Sequence, residues 1–240
     1  MNKSLEDLSA KIAAKCKELG YEKCGWRLLY TPARTLDCPN GLMFLGLNPG
    51  GEDRDGAPDS LCQAIEKGNA YYTELWRKLE GKHPLQIQVQ ELFKSLMKSP
   101  LWKVGSFEQL LDETLTSNFC PFRSRSWAKM ARKEEAIRFS TELWAEVLPE
   151  IKPRVIICMG RVAYSQLGKV LENVSARSGS ETSLPTGWGQ MKFAIQQYTS
   201  PGWNPILVRI PHLSQYKIMS RPQCLPRVEE FVAKLSEIAA

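Results

Sequence analysis

The chain has 240 residues, 43% of them apolar, and a formal net charge of +6. That length suits one large domain or two small ones with a sizeable core. It excludes a transmembrane helix, since no apolar stretch approaches the required length, and a disulfide-framed domain, since the seven cysteines are scattered with no CxxC pair.

Residues 4–19 read as an amphipathic helix capped by Ser4, with Leu5, Leu8, Ile12 and Leu19 as the apolar stripe. No apolar h-region precedes it, so a signal peptide is not expected. A short strand follows at Trp26–Tyr30. The next strand, Leu42–Leu47, is uncharged and reads as covered on both faces. It runs into Asn48-Pro49-Gly50-Gly51 and the acidic loop that contains Asp53 and Asp55. Helical patterns occupy Asp59–Lys67, Ala70–Leu79 and Leu85–Lys98. A strand at Thr114–Phe119 stops at Cys120-Pro121, and a long helix covers Ser126–Leu148.

Val155–Met159 is again apolar on both faces; Gly160 ends it, and a helix begins near Arg161. The Gly/Ser/Thr/Pro-rich stretch Ser175–Gly189 reads as a loop. Strands at Phe193–Tyr198 and Ile206–Ile210 are joined by the turn Ser200–Asn204. A last helix starts at Pro222 or Pro226, with Val228, Phe231, Val232 and Leu235 inward. Strands alternating with helices predict an α/β domain, a three-layer sandwich with a central, mainly parallel sheet. No repeat or linker divides it, so one domain over 1–240 is expected.

Charge is unevenly spread. No acid occurs between Glu113 and Glu134, where Arg123, Arg125, Lys129, Arg132 and Lys133 fall. None occurs between Glu181 and Glu229, where Lys192, Arg209, Lys217, Arg221 and Arg227 fall. A polyanion partner explains this; buried strands and chance explain it equally. Cys16, Cys24, Cys38 and Cys62 match no iron–sulfur spacing, and reduced thiols point to a cytoplasmic chain.

Three strand ends carry polar residues: Asn48, Asn118 and His212. In a parallel sheet these ends converge on one edge, where ligands bind. Each residue also has a structural reading: Asn48 in a plain turn, Asn118 as a turn cap, His212 as a satisfied histidine. The turn at 46–51 has neither GxGxxG nor a P-loop GKS/T, and the acids after it disfavour phosphate.

In order along the chain, GLNPG at 46–50, NFCPF at 118–122, ICMGRVA at 157–163 and IPHLSQ at 210–215 resemble the motifs of the uracil-DNA glycosylase superfamily. The nearest branches are the single-strand-selective monofunctional and mismatch-specific ones. The resemblance covers roughly residues 40–230. It implies a four-stranded central sheet and a monomeric base-excision-repair enzyme without metal or organic cofactor, cytoplasmic (nucleoid-associated in a bacterium, nuclear in a eukaryote), acting on uracil or a related deaminated base in DNA by base flipping.

It also implies roles. Gly46, Leu47, Pro49 and Gly50 form the pocket floor, with Phe119 beside the base. Asn118 reads the base, His212 steadies the departing anion, and Asn48 holds a water, because an amide is no general base. Ser214, Gln215 and Tyr216 would fill the gap left by the flipped base. Lys217, Arg221, Arg123 and Arg125 would clamp phosphates. Trp127 is available for stacking or for core packing, and Tyr71 or Tyr72 for stacking on the base. Leu213 stands where the family has proline, and the loop after Gly50 is unusually acidic.

Overall fold

A computed structural model describes residues 5–37, 40–50, 67–76 and 79–240. The predicted strand patterns form the centre of one six-stranded sheet. Its strands are β1 (Leu42–Gly46), β4 (Leu115–Asn118), β5 (Val155–Met159), β6 (Arg177–Pro185), β7 (Lys192–Thr199) and β8 (Ile206–Ile210). The order is β4-β1-β5-β8-β7-β6. The first four are mutually parallel, and β7 and β6 add antiparallel. The sheet thus has six strands where four are expected, because the antiparallel β7 and β6 extend the four parallel ones. A separate two-stranded hairpin pairs β2 (Leu75–Trp76) with β3 (Leu79–Glu80).

Every residue of β1, β4 and β5 is buried, as expected for strands covered on both faces. Met43, Leu45, Leu115, Ile156 and Leu207 point to one face, under α1 (Leu5–Glu18), α5 (Lys133–Ile151) and α6 (Arg161–Asn173). Leu42, Phe44, Ile157, Val208 and Ile210 point to the other, under α3 (Pro84–Leu96), α4 (Phe107–Glu113) and α7 (Leu225–Ala239). This is the three-layer arrangement. The period-two alternation places Phe44 and Gly46 on the second face, opposite Thr116 and Asn118.

Four segments differ from the sequence expectation. Residues 175–189 contain β6 and are no simple loop; as an edge strand it is largely exposed and bulged at Ser178–Glu181, so it lacks apolar alternation. Trp26–Tyr30 is no full strand. It makes isolated antiparallel bridges, Trp26 to Phe122 and Leu29 to Ser117, along the outer edge of β4. The Ala70–Leu79 pattern is one helical turn, α2 (Ala70–Thr73), followed by the small hairpin. The long helix starts at Lys133, after a separate turn at Trp127–Lys129. Ser4 and most of the Asp59–Lys67 helical pattern lie outside the described residues.

The Trp26–Tyr30 segment is pinned by a buried ion pair. Arg27 donates to Glu74 Oε2 at 2.8 Å and to Leu29 O at 2.8 Å, and its guanidinium lies 4.0 Å above the Tyr30 ring. Trp76 Nε1 also donates to Glu74, at 2.9 Å. Both charges are held with their hydrogen-bonding groups occupied, which is what makes burial tolerable.

Candidate active site at the strand ends

β4, β1, β5 and β8 run parallel, so Asn118, the turn after Gly46, Gly160 and the loop holding His212 share one edge of the sheet. Of the inner strands, β1 ends in Gly46 and β5 runs into Gly160. Asn118 leans over the first of these. A Cβ on Gly46 would lie 2.2 Å from Asn118 Oδ1, closer than atoms approach. His212 packs on the second: a Cβ on Gly160 would lie 3.5 Å from His212 Cδ2. Gly160 has φ +96, and its N–H donates to Ile210 O at 2.8 Å. It joins β5 to α6 in a conformation that a side chain would strain.

β4 and β8 are separated by three strand spacings, about 14 Å. Asn118 and His212 each lean one strand inward from these, toward Gly46 and Gly160. No hydrogen bond links Asn48, Asn118 and His212; the strand order is what relates them.

Asn118 is 5% exposed, yet its carboxamide makes no hydrogen bond to any described residue. The amide atoms are not among the buried, unpartnered ones of the described residues, so the carboxamide is reachable from outside and has both a donor and an acceptor to offer a ligand. Its backbone is fixed: Phe119 N donates to Gly46 O at 2.9 Å and Cys120 N to Leu47 O at 2.8 Å. This does not fit the turn-cap alternative.

The same pairing positions Asn48. Ser124 N donates to Pro49 O at 3.2 Å, and Asn48 Nδ2 donates to Pro49 O at 3.0 Å and to Ser124 Oγ at 3.4 Å. The amide nitrogen is thus used within the protein, while Oδ1 accepts nothing from the described residues and is left to receive a proton donor. Leu47 and Asn48 are half-buried, Pro49 is buried and Gly50 is exposed.

His212 is half-buried, and desolvation lowers its pKa below the ordinary histidine value, favouring the neutral ring. Ser214 Oγ lies 2.7 Å from its Nδ1. With Ser214 donating, the ring proton sits on Nε2. Gln215 N and Tyr216 N both donate to His212 O, which makes a tight turn after the histidine. Leu213, in place of proline, is 1% exposed and anchors the loop in the core. The other histidine, His83, caps α3 by accepting from Leu85 N.

Several predicted contacts lie elsewhere. Phe119 is fully buried among the α5-side residues, and its carbonyl accepts from Trp144 Nε1 at 2.8 Å, so it packs in the core and does not line the site. Tyr71 is 3% exposed; its ring stacks on Tyr30 and meets Phe44 and Trp76 edge-on, leaving no open face for a base. Tyr72 donates to Asp112 Oδ2 at 2.7 Å, ahead of the N-terminal end of β4 and away from the site edge. Trp127 packs against the core beside Lys133. Asp53 and Asp55 lie outside the described residues.

Of the expected clamp and wedge, Ser214, Gln215, Lys217, Arg221 and Arg125 are exposed, and Tyr216 is half-buried. Ile218 and Met219 are buried. Arg123 is half-buried and donates to Gly50 O at 3.4 Å, so it braces the turn after β1. Sequence reasoning missed Ser124 and the role of Gly160 as a neighbour of His212.

Cys38 and Cys62 lie outside the described residues, and among those described no group of three or more His, Cys, Asp or Glu could hold a metal ion. No described helix is long and apolar enough to cross a membrane. A surface depression of about 630 Å³ at the opposite sheet edge, lined by Glu172, Arg177 and Ser200, contains none of the predicted residues. No protein-family model matches the chain, and no curated protein was found similar to it.

Proposed function

We propose that this protein is a monofunctional DNA glycosylase that hydrolyses the N-glycosidic bond of uracil or a related deaminated base. The observation that carries the reading is the unspent carboxamide of Asn118, held over Gly46 at the end of a parallel strand. Such an amide donates to a uracil carbonyl and accepts from the neighbouring ring N–H, a pattern cytosine does not match. A base buried in a duplex is out of reach, so the substrate nucleotide is flipped out or lies in a single strand.

In the reaction the bond between the base nitrogen and C1′ breaks with both electrons going to the base. His212, donating from Nε2 to a base carbonyl, stabilises the anion as it forms. Positive charge develops on the sugar. A water accepted by Asn48 Oδ1 adds its hydroxyl to C1′, and its proton leaves to solvent. Asn48 positions that water without taking the proton, so the chemistry depends on a base that departs readily.

The test is excision from uracil-containing single- and double-stranded DNA, read by strand cleavage after alkali. Asn118→Ala abolishes excision while leaving affinity for undamaged strand within about twofold. No product from uracil, hypoxanthine, xanthine or mismatched thymine sinks the proposal. One observation favours a second reading, a non-catalytic binder of damaged bases: residue 48 is an amide with no base strength. Saturable binding of free uracil without turnover would select it.

A further inference from the structure

The tip of the β6–β7 hairpin lies at the same sheet edge as the candidate site. β7 is antiparallel to β8, with Ala194 opposite Arg209, so the turn between Pro185 and Lys192 sits beside the loop that carries His212. The turn is internally closed. Thr186 is fully buried, donates to Met191 O from its N–H at 3.1 Å and its Oγ1 at 2.9 Å, and accepts at Oγ1 from Trp188 N at 3.2 Å, while Met191 N donates to Trp188 O at 3.0 Å. It is also docked. Gly187 has φ +78, and a Cβ there would fall 2.5 Å from Gln223 O.

This fixed tip presents Trp188, half-buried, to two residues of the loop after His212. Tyr216 meets it edge-on, with centroids 6.1 Å apart. Arg221 lies over its ring, 4.1 Å from the centroid. Arg221 is exposed and forms no ion pair with a described residue. A guanidinium held over an indole in this way makes a cation–π contact through its centre and leaves N–H groups free to meet the oxygens of a phosphate. Lys192 and Lys217 are exposed on the same two segments, and no carboxylate occurs from Thr182 to Val228.

We propose that the hairpin tip is a second nucleic-acid contact. Trp188 holds Arg221 over its ring to bind a phosphodiester group of a strand whose target base lies at the strand ends, while the half-buried rings of Trp188 and Tyr216 meet a flanking base. Cations interleaved with aromatic rings match a single strand with unstacked bases better than an acidic peptide, which offers no rings to stack. The choice of a DNA strand rests on the glycosylase reading.

The experiment is binding of a labelled, undamaged single-stranded oligonucleotide across a salt series, with excision measured separately. Arg221→Gln, an exposed substitution that leaves folding intact, lowers affinity about tenfold and reduces the salt slope by about 0.7, one phosphate contact. Trp188→Ala produces the same slope change, the double variant adds little, and Trp188→Phe keeps most of the binding. Unchanged affinity and slope in Arg221→Gln or Trp188→Ala overturns the proposal. So does polyglutamate competing as well as the oligonucleotide, or wild-type protein that does not bind the strand. Salt-dependent binding of this pattern without any excision sinks the glycosylase reading and leaves the hairpin contact standing.

Discussion

Gly46→Ala is the most direct perturbation of the base-reading geometry. Gly46 is buried at the end of β1 with no left-handed φ, so the backbone accepts alanine. The new Cβ, however, would lie 2.2 Å from Asn118 Oδ1 and 3.3 Å from its Cγ. An ordinary contact is about 3.5 Å, so the carboxamide must retreat by about 1.3 Å. It is the end of a rotatable side chain, so folding loses only about 1 kcal/mol, the low end of overpacking costs. The site loses more. A hydrogen bond of about 2.9 Å stretched by that amount is broken, and each buried group left unpaired costs about 1–3 kcal/mol. Two such groups amount to about 2–6 kcal/mol, or roughly thirty-fold to twenty-thousand-fold in kcat/KM. The contrast is Gly160→Ala. Its Cβ would stand at an ordinary 3.5 Å from His212 Cδ2, but φ is +96, so strain of about 1–3 kcal/mol falls on stability. Excision kinetics together with urea unfolding separate the two variants. Wild-type excision by folded Gly46→Ala, or the same profile from both variants, would refute the geometry proposed for Asn118.

Two further outcomes are expected. Arg27→Gln leaves Glu74 charged and poorly paired beneath Tyr30 and Trp76, and should cost about 3–5 kcal/mol in urea unfolding; a loss under 1 kcal/mol would show that the pair is dispensable. His212 has a folded pKa below its unfolded value of about 6.5. Between those two values the unfolded state binds the extra proton, so its contribution makes stability fall as pH drops from about 6.5 through the folded pKa, with none above. His212→Asn should flatten that part of the pH–stability curve, and an unchanged slope between wild type and variant would count against a buried neutral imidazole.

Three of the parallel strands were legible as short, mostly apolar runs that end in or are followed by glycine or proline: Leu42–Gly46, Val155–Met159 before Gly160, and Ile206–Ile210 before Pro211. The residues just after β1 and β8, and the last residue of β4, are Asn48, His212 and Asn118, which is why the strand ends pointed to them. β6 was not legible, since Arg-Ser-Gly-Ser-Glu-Thr-Ser on an exposed edge has no face to bury. Tyr71 looked available as a stacking ring because periodicity cannot reveal that Tyr30, from forty residues earlier, lies against it. Trp188 over Arg221 and Ser124 beside Asn48 are likewise contacts between distant segments, without a local signature. Gly160 was visible as the end of a strand, but its relation to His212 follows only from β5 lying next to β8.

The two borders of the sheet are treated unequally. On the β4 side, residues 25–30 engage the strand and the chain beyond it through Arg27 N to Pro121 O, Tyr30 N to Thr116 O and Arg123 N to Gly25 O. That border has few free backbone groups with which to recruit another chain. The β6 border is open, and its defence is chemical: exposed polar side chains and a bulge that breaks the register at Ser178–Glu181. Any strand exchange between copies would have to begin at β6, where the bulge forces a mismatch after a few residues. The high-fidelity edge is the one that carries Asn118, so the amide at the centre of the proposed chemistry sits on the border least exposed to aggregation.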